Sequence, residues 1–149
     1  MQLTFLCSVH REWVYFHPQT ALSYLDDAQE KGEACMEENK WQEALPFIGC
    51  AFETTEILLE VQGVENTFLL GRLTSLSMLL ARIFNQLDRS DYGQLILEQA
   101  EKRLRHIATI SLGHKLRLNY IMQCIFSIKN CIKHHKFIFA KALKTAKPH

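Results

Sequence analysis

Acidic residues are missing from the last third of this 149-residue chain: no Asp or Glu follows Glu101. Residues 102–149 carry eleven Lys and Arg, a formal charge of +11, while residues 1–101 carry sixteen acids against six bases, a charge of −10. The total of +1 conceals this division. Gly and Pro are also scarce, at six and three, which leaves few turns and favours long helices. No run of about eighteen apolar residues occurs, so no bilayer span is expected. The apolar start, Met1 to Cys7, is short and lacks a basic leader, so no signal peptide is expected either. The five cysteines are odd in number and include no C-x2-C pair. That argues against a disulfide framework and a structural zinc site, and for free thiols in a reducing, cytoplasmic setting. No G-x-S-x-G, P-loop or dinucleotide fingerprint is present, so neither enzyme activity nor a cofactor is expected.

What the chain does contain is helical periodicity. Leu22, Leu25, Ala28, Gly32, Cys35 and Met36 form one stripe of a helix over about 19–38, with Asp26, Glu30, Glu33 and Glu37 on another face. Trp41, Ala44, Leu45, Ile48, Ala51, Phe52, Thr55, Leu58 and Leu59 mark a helix over about 41–61, ended by Gly63. A third helix, about 65–87, is apolar almost all round, from Phe68 to Leu87, and belongs at the centre. Ser90 reads as the N-cap of a fourth, which turns Tyr92, Leu95, Ile96, Ala100, Leu104 and Ile107 inward. A fifth runs over about 114–133 with Leu116, Tyr120, Ile121, Cys124, Ile128, Cys131 and Ile132 inward. Lys133-His134-His135-Lys136 suggests a break before a basic tail helix in 134–149. Residues 1–17 stay open between a strand, favoured by Thr4, Phe5, Val9 and Trp13 to Phe16, and a short helix or arm. The fold class is therefore all-α, with five to six helices in one domain spanning 1–149.

Gly32, Trp41, Ala44, Ile48 and Ala51, with the turn Asn39-Lys40-Trp41-Gln42-Glu43, resemble one tetratricopeptide repeat across about residues 25–58. Small residues let paired helices approach closely, and the aromatic and Ile plug the space between neighbouring units. A second unit around Tyr92 departs from the pattern: Leu95 and Lys102 stand where Ala44 and Ala51 stood, 51 residues on instead of about 34. The resemblance implies stacked antiparallel helical hairpins, against an irregular bundle as the competitor, and a non-catalytic adaptor, regulator or chaperone. It also aligns Gln29 and Glu33 with positions where some members clamp a terminal carboxylate. Glu33 would repel one, so an acidic groove favours a basic ligand.

Three groups of residues could carry function. The acidic face Asp26, Glu30, Glu33 and Glu37 is either solvated or a docking surface for a basic partner. Arg103, Lys115, Arg117, Lys129, Lys133, Lys136, Lys141, Lys144 and Lys147 could contact a protein partner or phosphates. Tyr120, Phe126, Phe137 and Phe139 are interleaved with them, as stacking residues are in single-strand binders, but they sit at core-like positions and core is their expected fate. Cys124, Cys131, His134 and His135 fall within twelve residues, and the expectation there is two core thiols and two solvent-facing histidines instead of a metal site. The opposed charges also allow a homodimer or a fold-back of the acidic body over the basic end. A protein or peptide partner is the leading expectation, nucleic acid the alternative, and no membrane.

Overall fold

The computed structural model describes residues 3–145; within α6, the side chains of 137–140, 142, 143 and 145 fall outside that description. Six helices follow one another: α1 (Ser8–Phe16), α2 (Pro18–Glu37), α3 (Trp41–Gln62), α4 (Thr67–Gln86), α5 (Ser90–Thr109) and α6 (Lys115–Thr145). No strand occurs among the described residues. The short connections make consecutive helices antiparallel neighbours. Each of α1 to α5 packs against the next, α1 also reaches α3, and α4 also reaches α6. Two layers result, α1/α3/α5 and α2/α4/α6, as stacked helical hairpins require.

Local chemistry sets the boundaries. Pro18 opens α2 at a position where its missing N–H is an orphan anyway. Asn39 adopts φ 59° in the α2–α3 turn, and Gly63 at φ 87° ends α3. Asn66 caps α4 by accepting from the Leu69 amide. At α5 the N-cap is Arg89 instead of Ser90, which is already the first helical residue. Arg89 instead pairs with Asp91 and lies 3.7 Å from the centre of the Tyr92 ring.

The core is one cluster in which Leu69, Leu70, Leu73, Leu76, Leu80 and Ile83 of α4 are fully covered. By length and hydropathy α4 could cross a membrane, a possibility the run-length criterion missed. More than half of its most apolar window is nevertheless buried, against α3, α5 and α6. It is a central core helix, as its all-round apolar pattern indicated.

Residues 3–16 form no strand. Residues 3–7 form no regular element and lie against α3 through the Phe5 and Leu6 amides, and then α1 begins with the Cys7 thiol accepting from the His10 amide at 3.4 Å. Strand propensity is overruled because no edge strand is present among the described residues for this segment to pair with. Lys133-His134-His135-Lys136 is no break either. His135 turns inward, 2% exposed, over Gly93, and its Nε2 bonds the Ser90 carbonyl of α5. The helix therefore continues through Thr145. Two expected inward residues face water: Leu116 is 86% exposed and Phe68 64%.

Candidate functional site

The most unusual local feature is a pair of carboxylates in the middle of α3. Residues 51–59 are all buried, Glu53 and Glu56 among them. A carboxylate survives such burial only when hydrogen bonds and opposite charge replace water. Glu53 accepts from the Phe5 amide at 3.0 Å and the Leu6 amide at 2.5 Å, and it pairs with Arg11 of α1. Glu56, one turn on, faces α5. Its two oxygens lie 3.0 Å from Gln99 Nε2, and Arg103 approaches at 3.7 Å. The pair thus ties α3 to α1 on one side and to α5 on the other. Beside it, a cleft of about 610 Å³ is lined by Glu56, Leu95, Gln99, Lys102, Arg103 and His106.

Burial pushes the Glu56 carboxyl above its usual range, against the opposing pull of Gln99 and Arg103. Folding therefore takes up a proton in the window that opens at about pH 4.5, the ordinary value, and stability falls as pH rises through it. Glu56→Gln keeps an acceptor for Gln99 and removes the buried charge. Its stability at pH 7 is expected to equal or exceed that of the wild type. Urea denaturation between pH 4 and 8 should show a flatter profile for the variant, and an unchanged slope would contradict this account.

The acidic face is assembled as the periodicity implied, but its members differ. Asp26 is paired with Arg72 of α4, which also bonds Gln29 Oε1 at 2.5 and 3.1 Å. Glu30, Glu33 and Glu37 are exposed, and none forms an ion pair among the described residues. This face therefore carries a net negative row along α2 with one arginine at its edge.

The basic group splits into two. Arg103 belongs to the Glu56 cluster, 3.7 Å from that carboxylate. Lys115, Lys129, Lys133, Lys136, Lys141 and Lys144 of α6 are exposed, and Arg117 is half-buried. None of these seven forms an ion pair among the described residues. Lys147 lies outside the described residues, as do the side chains of Phe137 and Phe139. Tyr120 is half-buried, with its hydroxyl close over Gly71 of α4. Phe126 is 64% exposed, and with Met122 at 51% it interrupts the lysines on the outer side of α6. Steps of four and three residues put Lys115, Asn119, Met122, Phe126, Lys129, Lys133 and Lys136 on one face. A core position for Phe126 is thus overturned: the inward residues of this stretch are Ile121, Cys124, Ile125 and Ile128.

The Cys/His set does not converge. Cys124 is buried, Cys131 half-buried and His134 exposed, while His135 is engaged with Ser90. Among the described residues no three His, Cys, Asp or Glu side chains gather where a metal could sit. Burial raises the Cys50 and Cys131 thiols above their usual range, which disfavours the nucleophilic thiolate.

Glu53 and Glu56 do not stand out by helical periodicity. The one available signal was polar: Glu53-Thr54-Thr55-Glu56 sits inside an apolar helix between Phe52 and Ile57. Comparison with family models, with curated proteins and with solved structures found no match.

Proposed function

We propose that this chain is a non-catalytic adaptor or regulator of the cytoplasm that docks a protein partner on the outer face of α6. One observation carries the reading: Lys115, Lys129, Lys133 and Lys136 surround Met122 and Phe126 on an exposed helix face where no acid among the described residues pairs with them. Apolar side chains with a charged border make an interface in which desolvation supplies affinity and charge supplies selectivity. The buried carboxylates support the same division of labour. Their partners come from the chain itself, so they serve its architecture, while α6 is left for other molecules. The chemistry favoured on the partner is an acidic segment with an apolar stripe.

The test is affinity capture from the native host with the wild-type chain and with Phe126→Asp/Lys129→Glu. A partner identified with the first and then purified should bind the second at least tenfold more weakly, as expected for loss of an aromatic anchor and a charge. Equal binding would remove α6 as the docking face. Phe126 amid lysines also suits base stacking, so a gel-shift titration on single-stranded DNA across salt accompanies the capture. Saturable low-salt binding that Phe126→Asp abolishes would favour nucleic acid instead.

A further inference from the structure

The outer face of α6 has a complement on the same molecule, in a place that α6 of that molecule does not cover. The row Glu30, Glu33 and Glu37 lies on α2, and the row Lys129, Lys133 and Lys136 on α6. Neither row pairs with the other: Asp26 at the edge of the first is taken by Arg72 of α4, and α6 packs on α4 and α5. A fold-back of the acidic face over the basic helix is therefore not how the charges are satisfied. The spacings match in a specific way. Read forward, the acids are separated by three and four residues; read backward, the lysines are too. Each row covers about 10 Å at 1.5 Å per residue. An antiparallel crossing would place Glu30 against Lys136, Glu33 against Lys133 and Glu37 against Lys129. Continuing past Lys129, Phe126 and Met122 would reach the α2–α3 turn and the start of α3, where Trp41 is half-buried.

We infer that the occupant of this face is a second copy of the chain, seated with its α2 antiparallel on α6. The overall charge of +1 leaves almost no net repulsion between copies, while the opposed poles attract one another at a range that salt sets. The apolar contribution comes from Met122 and Phe126, exposed in a single copy. The inference rests on the same α6 face as the function proposed above. Its test needs only the purified chain, so either can fail without the other.

The experiment is sedimentation velocity of the full chain over a concentration series at about 50 mM and about 500 mM salt, conditions chosen to span the screening range. The wild type should exceed its monomer mass of 17.3 kDa at low salt and return toward it at high salt. Lys129→Glu/Lys133→Glu/Lys136→Glu should weaken association by about tenfold or more, and so should Glu30→Lys/Glu33→Lys/Glu37→Lys. All six positions are exposed, and far-ultraviolet circular dichroism checks that both triple variants stay folded. Mixed one to one, they regain a complementary pair of rows and should associate again. Three results would overturn the inference: a wild type monomeric at every concentration in low salt, a self-associated state that either triple variant leaves intact, or folded variants whose mixture stays monomeric.

Discussion

Glu53→Ala should lower the unfolding free energy by about 3–4 kcal/mol, the range for removing one partner of a buried charge pair together with its hydrogen bonds. The substitution strands the Phe5 and Leu6 amides and frees Arg11. The amides account for most of the loss, because Arg11 is 37% exposed and water can take over its hydrogen bonds. For a chain of this size the melting temperature should drop by roughly 10 °C. Amide exchange gives the sharper readout: protection at Phe5 and Leu6 should vanish while α4 stays protected at least until global unfolding. Glu53→Gln retains one acceptor and should lose about half as much. Glu60→Ala removes only the exposed bond from the Tyr15 hydroxyl and should cost about 0.5 kcal/mol. A Glu53→Ala loss under about 1 kcal/mol would show that water satisfies the two amides as well as the carboxylate does.

The same substitution bears on why the first helix exists at all. A nine-residue helix is too short to hold itself together in water. α1 is placed by Glu53, by the Phe5 ring lying against Gly49, where a Cβ would come 2.2 Å from it, and by Trp13 edge-on to Tyr24. All these anchors lie elsewhere in the chain. That explains why residues 1–17 could not be assigned from their own sequence: propensity favoured a strand, and the deciding partners were Glu53 and Gly49, more than forty residues away.

Elsewhere legibility follows the same rule. α2 to α5 were readable within about two residues because periodicity, Gly63 and the Glu38–Lys40 turn are local signals. The acidic row was readable for the same reason. The unbroken α6 was not, because Lys133-His134-His135-Lys136 is polar and only contact with Gly93 and Ser90 of α5 makes His135 an inward residue. Glu53 and Glu56 were hidden because the groups that satisfy them come from residues 5–11 and from Gln99 and Arg103 of α5, none of which adjoins α3 in sequence. Phe126 was misplaced in the other direction. An aromatic at helical spacing reads as core, and only the packing of α6 on α4 and α5 shows that Phe126 lies on the uncovered side.

Gly32→Leu carries the other large expected effect, about 3 kcal/mol of destabilisation from overpacking. A Cβ at position 32 would stand 2.4 Å from Ile48 Cδ1, 2.6 Å from Ile48 Cγ1 and 3.2 Å from Phe47 Cβ. Ile48 is fully buried and has nowhere to retreat, and clearing the Cγ1 contact needs a χ1 change that a β-branched residue in a helix resists. The gain of about 1 kcal/mol from replacing a mid-helix glycine is too small to compensate. Ile48→Ala alone should cost about 2–5 kcal/mol through the cavity it leaves. Combined, the two changes exchange volume across one contact, so the double variant should be more stable than the sum of the single losses predicts, by about 2 kcal/mol. Urea denaturation of the four proteins measures this coupling directly. It tests the physical basis of the helical pairing, in which α2 and α3 approach through a glycine so that Ile48 can fill the space a side chain would occupy. Additive losses would place positions 32 and 48 out of contact and remove close approach as the reason for glycine there.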